Sequence, residues 1–432
     1  MKRTVGIVGT VGLCALSAFL LSCGSSSSRP QGLLYVISDS ASPPNPNSIS
    51  SFTINLNNGQ ISLINSNATT CTNSTGCGLT TGVLLDPTKT VLYVLNEGLA
   101  SAGIAPTIYS YSIQSDGSLG SPTVAATLSV GQTAEAMALD TGGDLLFVIV
   151  QGSNSAPADC PANTLGDCPE IVVFQTSPGK TTVTQASTFA LDRMPDALSA
   201  ITFTPPAPNN TQQTLLFVTS NLDLTTAHND NELSVYAADS SGNLTEQGNS
   251  PYTTAPTPQV VLAVNTNAPT VTTGGVFVYV GTQGSVSGAV SAFQLCTELN
   301  QNGCTQSQVQ GNHLNSIGGP VGAGNSPVAM LVDPTNSFLY VASRLSSQVF
   351  GFQIATGAGT LTQLSTASQP TGSQPVGMAI HPNFNNSAEF LYTSNYNGNS
   401  ITGFTLGVTT GILSNATTTL FEPGLPSGIA AK

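Results

Sequence analysis

The sequence predicts an all-β protein, a seven-bladed β-propeller with four-stranded antiparallel blades. Three observations lead to this: a strand pattern that recurs seven times, the lack of long charged or Ala/Leu-rich stretches typical of helices, and a final segment resembling the first strand of a repeat. The 432 residues are 7% charged and 40% hydrophobic, too apolar for a disordered acidic tail. The net charge of −13 argues against a nucleic-acid partner, because phosphates require clustered Lys and Arg.

The N-terminus has the features of a secretion signal. Lys2 and Arg3 form a basic start, and an apolar run extends from Val5 to Leu21. The run ends in Leu-Leu-Ser-Cys at Cys23, which resembles the bacterial lipobox, in which this cysteine becomes the lipidated first mature residue. A plain signal peptide or a signal anchor is the alternative.

The predicted organisation follows from this signal. Residues 1–22 are expected to be a lipoprotein signal peptide, residues 23–31 the lipidated Cys23 and a polar tether, and residues 32–432 the propeller. Gly24, where an aspartate would favour retention, predicts sorting to the outer membrane. We therefore expect a monomer outside the cytoplasm that contacts the membrane through its lipid anchor alone.

Six further cysteines form three close pairs, each bracketing turn-forming residues. The pairs are Cys71 and Cys77, Cys160 and Cys168, and Cys296 and Cys304. An exported protein meets an oxidising environment, so three local disulfides are predicted. Metal ligation is the alternative, but no histidine or second Cys-x-x-Cys accompanies any pair.

A repeat runs through the chain and is clearest in two adjacent copies, residues 326–364 and 374–414. Each copy begins with Pro-Val-x-Met, turns at Asp-Pro or His-Pro, and continues with Phe-Leu-Tyr. An alternating third segment, a glycine turn and a short fourth segment follow. Alternating β-branched and aromatic residues separated by Gly, Asn, Asp and Pro are typical of β-hairpins.

The second strand of this repeat can be traced seven times through its aromatic residue. These residues are Tyr35, Tyr93, Phe147, Phe217, Tyr279, Tyr340 and Tyr392. They lie 52 to 70 residues apart, further than the ~40–45 of a WD40 blade, which indicates loop insertions. A pair of β-sandwiches is the alternative architecture.

The two ends of the repeat array predict how the ring closes. The first unit begins at its second strand, whereas residues 425–431 resemble an unattached first strand. The C-terminal segment around Ile429 is therefore expected to pair beside Tyr35 and complete the first blade. This closure specifies seven blades.

The units resemble those of the seven-bladed lactonase propellers, the 6-phosphogluconolactonase-like group, and more loosely the surface propellers with a YVTN-type repeat. Val94–Glu97, Val341–Arg344 and Leu391–Gly398 are similar to that group's Val-x-Asn-Glu, Val-Ser-Asn-Arg and Val-Ala-Asn-Tyr-x-Gly. The resemblance covers residues 32–432. It implies the propeller fold and, for an active member, hydrolysis of a sugar lactone.

The chain departs from this family where the first strand begins. Active members carry Pro-Arg-His or Pro-His there, whereas Pro258, Pro327 and Pro375 are followed by Gln-Val, Val-Ala and Val-Gly. Lactone hydrolysis needs a base for water and a donor or cation for the oxyanion. We therefore place first a binding module that engages a glycan, peptide or protein through one loop face. A lactone hydrolase is the alternative.

Glu97 and Arg344 are the candidate catalytic residues, because each directly follows a second strand on the presumed functional face. They could act as an acid/base and an anion-binding group. The alternative interpretation is a solvated loop carboxylate and an arginine that braces a neighbouring blade.

No cofactor is expected, and a single loop offers weak candidates for Ca²⁺. These are Asp223, His228, Asp230 and Glu232. Oxygen-rich loops can bind Ca²⁺, but this spacing matches no EF-hand.

Another histidine, His381, occupies the position that Asp86 and Asp333 occupy in other repeats. A role in a turn would suit all three positions, so His381 is not expected to be catalytic.

Overall fold

The computed structural model describes most of the propeller. The described residues are 32–40, 47–68, 78–152, 168–206, 211–223, 231–266, 275–284, 287–299, 301–381, 388–421 and 424–432. The predicted signal peptide, Cys23 and tether therefore lie outside the described residues, as do Cys71, Cys77, Cys160, His228 and Asp230.

The described chain is almost entirely β-structure. In chain order the strands are β1 (Gly32–Asp39), β2 (Ser48–Ile54), β3 (Ile61–Ala68), β4 (Thr80–Leu85), β5 (Val91–Asn96), β6 (Thr107–Ser112), β7 (Thr123–Thr127), β8 (Thr133–Leu139), β9 (Leu145–Gln151), β10 (Glu170–Gln175), β11 (Thr184–Ala190), β12 (Arg193–Phe203), β13 (Gln213–Asp223), β14 (Glu232–Ala238), β15 (Leu244–Glu246), β16 (Tyr252–Thr253), β17 (Pro258–Asn265), β18 (Val276–Thr282), β19 (Gly288–Leu295), β20 (Leu314–Gly324), β21 (Pro327–Val332), β22 (Phe338–Ser343), β23 (Gln348–Ile354), β24 (Leu361–Pro370), β25 (Pro375–His381), β26 (Ala388–Asn395), β27 (Ser400–Gly407), β28 (Leu413–Phe421) and β29 (Leu425–Ala431).

These strands form seven antiparallel sheets, the predicted blades. Blade 1 has the order β29-β1-β2-β3, and blades 2 to 7 follow in chain order from β4, β8, β12, β17, β21 and β25, with β16 added beside β14 in blade 4. The innermost strands contact one another in the cycle β29, β4, β8, β12, β17, β21, β25 and back to β29. The ring of seven blades is therefore closed, as predicted.

The closure pairs the two ends of the propeller. Tyr35 lies opposite Ala430 and Val36 opposite Ile429. The backbones of Leu33 and Lys432 exchange two hydrogen bonds of 3.0 and 2.9 Å. A full innermost strand thus comes from the C-terminus, and blade 1 depends on residues nearly 400 positions apart.

Seven clusters of buried apolar side chains fill the seven interfaces between neighbouring blades. Strand β5 shows why the strands are apolar at consecutive positions. Its Tyr93 packs with blade 3, whereas Leu92 and Val94 pack with blade 1. Since successive side chains point to opposite faces, a sheet covered on both sides needs an uninterrupted apolar run.

Tyrosines of five second strands connect their blade to the next one. The hydroxyl donates to a carbonyl in the third-to-fourth-strand turn of the following blade; the pairs are Tyr35 with Gly117, Tyr93 with Lys180, Tyr279 with Gly359, Tyr340 with Gly411, and Tyr392 with Gly59. The contact from Tyr392 to Gly59 crosses the closure of the ring. Phe147 and Phe217, at the same position in blades 3 and 4, have no hydroxyl with which to form it.

We expect Tyr340→Phe to destabilise the fold by about 1–2 kcal/mol, because it removes the 2.7 Å hydrogen bond to Gly411 and leaves that carbonyl unpaired in a buried turn. Tyr111→Phe is the matched control, since the Tyr111 hydroxyl is buried without a hydrogen-bond partner among the described residues. Chemical denaturation of both variants measures the difference. Equal losses would show that the hydrogen bond contributes nothing.

Aspartates organise the turns between first and second strands. Asp333 accepts hydrogen bonds from the backbone N–H of Ser337 and Phe338 at 2.8 and 2.7 Å. Asp86 accepts equivalent bonds from Thr90 and Val91. The predicted turn role is therefore present at both positions. His381, in the matching place of blade 7, is buried, and burial lowers the pKa of its imidazole.

One predicted disulfide lies wholly within the described residues and is formed, between Cys296 and Cys304. It closes the turn that holds the 3₁₀ turn Gln301–Gly303 and leads into the short helix α1 (Gln306–Gln310). A second 3₁₀ turn spans Ala100–Ala102. Cys168 is also disulfide-bonded. Within the described chain no helix has the length and hydrophobicity needed to cross a bilayer.

Candidate functional site

Every innermost strand is interrupted by a β-bulge close to its first residue. The pairing with the second strand skips one residue in each blade: Thr81, Glu135, Asp196, Gln259, Val328, Val376 and Ser427. A bulge turns the extra side chain out of the regular alternation, and bulges recur next to active sites. All seven residues are partly exposed. They form an inner ring at one end of the propeller axis.

A second set of residues surrounds this inner ring. Because first and second strands are antiparallel, each second strand ends where its first strand begins. Each second strand has a polar residue at this end: Asp39 and Gln151 are the last residues of their strands, Glu97, Gln283, Arg344 and Tyr396 directly follow theirs, and Asn221 lies two residues before the end of β13. We call them the outer ring, and the two rings together the axial mouth.

Hydrogen bonds join members of the two rings. Asn221 Nδ2 donates to Asp196 Oδ1 at 2.9 Å. On blades 1 and 2, the Thr80 hydroxyl donates to Asp39 Oδ1 at 2.6 Å and lies 2.7 Å from the Ser427 hydroxyl. These contacts place inner-ring and outer-ring side chains around a common opening.

Four carboxyl groups follow one another around blades 1 to 4 of the mouth. Burial raises the pKa of Glu97, and Asp39 raises it further. Burial and the charge of Glu97 in turn raise the pKa of Glu135. Burial also raises the pKa of Asp39, against hydrogen bonds from Thr80 that lower it. These carboxyl groups therefore keep their protons to a higher pH than isolated carboxyl groups would.

Asp196 is the most perturbed of the four. Burial, and secondarily the charge of Glu135, raises its pKa to about 7. Its Oδ1 is held by Asn221, whereas Oδ2 is buried and has no hydrogen-bond partner among the described residues. The carboxyl lines a cleft of about 380 Å³ together with Gln259 and Gln283. A carboxyl group that lines a cleft, is oriented by one hydrogen bond and has a pKa of about 7 is suited to general acid/base chemistry.

The side-chain amide of Gln259 is fixed in orientation. The hydroxyl of Ser326 donates to its Oε1 at 2.9 Å. With the oxygen engaged, the NH₂ group remains as the donor that this side chain can offer within the cleft. The cleft thus combines a carboxyl group with amide donors.

The structure places the two predicted catalytic residues, Glu97 and Arg344, in the outer ring. Both lie close enough to affect the Tyr396 hydroxyl. Burial and the charge of Asp39 raise the pKa of this hydroxyl most, Arg344 lowers it, and Glu97 raises it. They do not pair with each other: Glu97 Oε1 accepts from the Leu79 N–H at 2.7 Å, and Arg344 Nε donates to Gln374 at 3.2 Å.

The weak calcium candidates do not form a site within the described residues. Glu232 lies 3.3 Å from the Arg193 guanidinium, which also contacts Asp192 and Glu246 at 3.0 and 2.8 Å. Asp223 ends β13. No cluster of three metal-ligating side chains occurs in the part of the chain that the structure describes.

A wider cleft of about 840 Å³ lies at the other end of blades 3 and 4. Its carboxylates serve the local fold. Asp140 accepts backbone hydrogen bonds from Asp144 and Leu145, and Asp239 accepts them from Ser241 and Asn243. The axial mouth is therefore the better candidate site.

Asp196 and Glu135 were not among the predicted site residues, although the sequence contains a signal for them. They occupy the same place in their repeats, in Met-Pro-Asp-Ala and Thr-Ala-Glu-Ala, as Gln259, Val328 and Val376 do after Pro258, Pro327 and Pro375. The bulge, which makes this position face the mouth, has no sequence signature of its own.

Comparisons with known proteins agree with this fold. Residues 285–425 match the family model described as "Lactonase, 7-bladed beta-propeller", which supports the predicted resemblance. No curated protein has a sequence that matches this chain significantly.

Solved structures with the same fold cover nearly the whole chain. A periplasmic gluconolactonase from Pseudomonas aeruginosa is 16% identical, with a TM-score of 0.61 over 93% of this chain and 99% of its own. A candidate 6-phosphogluconolactonase from Bacteroides fragilis is also 16% identical, with a TM-score of 0.60 over 93% and 98%. A protein from Lactobacillus plantarum is 15% identical, with a TM-score of 0.58 over 93% and 100%. At these identities the likeness establishes the fold.

Proposed function

We propose that this lactonase-like propeller, whose residues 285–425 carry the family's sequence signature, hydrolyses a lactone at its axial mouth. The observation that carries the proposal is Asp196, whose carboxyl group lines a cleft with amide donors and has its pKa raised to about 7 by burial and by Glu135. The ionisable groups gather at the axis, which favours an enzyme over a module with a broad, uncharged binding surface.

Asp196 would act as the general base. In its ionised form the carboxylate removes a proton from water as the water oxygen attacks the lactone carbonyl carbon. Asn221 holds Oδ1 and so fixes the carboxyl plane. Collapse of the tetrahedral intermediate breaks the bond from carbonyl carbon to ring oxygen. Protonated Asp196 returns the proton to that oxygen, and the product is a hydroxy acid.

Amide groups would stabilise the oxyanion. Gln259 and Gln283 line the same cleft as Asp196, and neutral donors placed where charge develops lower the barrier. Arg344, the cation of the outer ring, lies on blade 6, away from the blade 4 and 5 cleft. In this scheme Arg344 contributes only to the electrostatic potential of the mouth.

A binding module remains the second candidate, on one specific observation. Leu79, Val130 and Leu345 are 47%, 64% and 54% exposed in the loops of the axial-mouth end. Exposed apolar side chains around a polar centre are typical of interaction surfaces. Such a module would engage a glycan, peptide or protein without turnover.

The cellular setting is part of the proposal. The lipobox-like Cys23 and the cysteine pairs favour a lipid-anchored monomer outside the cytoplasm, at the outer membrane of a bacterial envelope. The structural neighbour from Pseudomonas aeruginosa is described as periplasmic.

The proposal is tested with purified full-length protein and two uncharged lactones, glucono-1,5-lactone and γ-nonanolactone, in a pH-stat at pH 8. We expect acid release above the spontaneous rate from at least one of them, saturating with substrate. Calorimetry on the same sample distinguishes the alternative: lactone or glycan binding with no acid release would support the module and overturn the enzyme.

A further inference from the structure

The inner ring of the axial mouth has two chemically different sides. Blades 1 to 5 contribute the polar residues Ser427, Thr81, Glu135, Asp196 and Gln259. Blades 6 and 7, across the axis, contribute Val328 and Val376 at the same bulged position. A ligand in the mouth therefore meets acids and amides on one side and aliphatic groups on the other.

The two valines lie outside the apolar clusters that fill the interfaces between blades. Both are partly exposed. Met330 and Met378, two positions further along the same strands, pack against apolar clusters. Within the described chain Val328 and Val376 belong to none of those seven clusters. Their methyl groups are thus available to a ligand.

Two residues at the rim of the mouth extend this apolar side. Leu345, next to the outer-ring residue Arg344 on blade 6, is 54% exposed. Tyr396 on blade 7 is half-buried and adds an aromatic ring. The apolar side therefore runs from the inner ring to the rim, and an extended aliphatic group could follow it outward.

The charges of the mouth discriminate against anionic substrates. The two rings contain one cationic residue, Arg344, and four acidic residues: Asp39, Glu97, Glu135 and Asp196. A phosphorylated lactone would need a cationic clamp and would instead meet several carboxyl groups. An uncharged substrate fits this distribution better.

Building on the proposed function, we infer that the substrate is an uncharged lactone that carries an unbranched apolar chain. Its ring would lie at Asp196 and Gln259, and its chain would lie over Val328 and Val376 toward Leu345. Water forms the new bond to the carbonyl carbon, the ring carbon–oxygen bond breaks, and the chain stays attached to the hydroxy acid product.

The experiment compares γ-hexanolactone with γ-nonanolactone, which share one ring and differ by three methylenes. We expect kcat/KM to be about 30-fold higher for γ-nonanolactone, or roughly threefold per buried methylene. Equal values for the two lactones would overturn the inference and leave lactone hydrolysis intact.

Variants of the two valines test where the apolar chain of the lactone lies. Val376→Thr, which keeps the side-chain shape, and Val328→Ser should each lower the ratio of the two kcat/KM values at least threefold. Val124→Ser is the matched control, because Val124 is an exposed valine on the outer strand β7, and the ratio should not change. Unchanged ratios in both mouth variants would overturn the assignment.

Failure of the proposed function gives a different result. If no lactone is hydrolysed, calorimetric affinities of the same two lactones test the inference alone. Tighter binding of γ-nonanolactone that weakens in Val376→Thr would support the apolar side, and equal affinities would overturn it.

Discussion

Deleting residues 425–432 is expected to abolish cooperative folding of the propeller. The deletion removes β29, the innermost strand of blade 1, and its contacts with β1, β4 and β25. It also exposes the apolar residues that Ile429 and Ala430 cover in two inter-blade clusters. Because each blade buries its faces only against its neighbours, an open ring loses much of the apolar burial on both sides of the gap.

Calorimetry and near-ultraviolet circular dichroism would measure this loss. The full-length chain should give one sharp transition and the truncated chain none. A synthetic peptide of residues 425–432 should restore the transition, since β29 pairs by backbone hydrogen bonds along its length. A truncated chain that melts like the full-length protein would contradict the closure.

Asp196→Asn is expected to lower kcat/KM for lactone hydrolysis by about 10²–10⁴-fold, the usual contribution of a general base. The substitution keeps the side-chain shape and an oxygen for the hydrogen bond from Asn221. Asp239→Asn is the control in the same blade, because Asp239 is a fully exposed carboxylate far from the mouth, and it should retain wild-type activity.

The same substitution should stabilise the fold at alkaline pH. The pKa of Asp196 is about 7 in the folded chain, above its ordinary value of 3.8, so folding disfavours the ionised form. Its contribution to stability therefore falls as pH rises from about 4 through 7. Asparagine carries no such penalty, and Asp196→Asn should be more stable by about 2–4 kcal/mol at pH 8.

Denaturant titrations at two pH values test this sign. The stability difference should vanish below pH 4, where aspartate is neutral in both states. A variant that is inactive and less stable at pH 8 would indicate a structural residue instead of a base. Lower activity together with higher stability is the expected result for a residue whose ionised form is needed for function but destabilises the fold.

The sequence predicted the fold well because the fold is repetitive. The position of β29 beside Tyr35 was predicted because the first repeat lacks a first strand, whereas the last segment resembles a first strand that no second strand follows. The hydrogen bonds of Tyr35, Tyr279 and Tyr340 were not predicted, although their aromatic positions were. Each partner is a backbone carbonyl in the next blade, and backbone acceptors leave no trace in a sequence.

The candidate site was predicted in part, for a physical reason. Glu97 and Arg344 were predicted to lie together at one end of the ring, and they do, because both follow second strands and their position depends only on strand direction. Asp196 and Glu135 gain their chemistry from a bulge, from burial and from each other's charge. These properties arise only when the seven first strands converge.

The pH dependence of lactone hydrolysis tests the central claim most directly. The account predicts that kcat/KM falls below pH 7 with an apparent pKa of about 7, the value for Asp196. In Glu135→Gln the fall should move to lower pH, since removing a neighbouring negative charge makes Asp196 easier to ionise. A profile that is flat between pH 5 and 9, or one that Glu135→Gln leaves in place, would contradict Asp196 as the base.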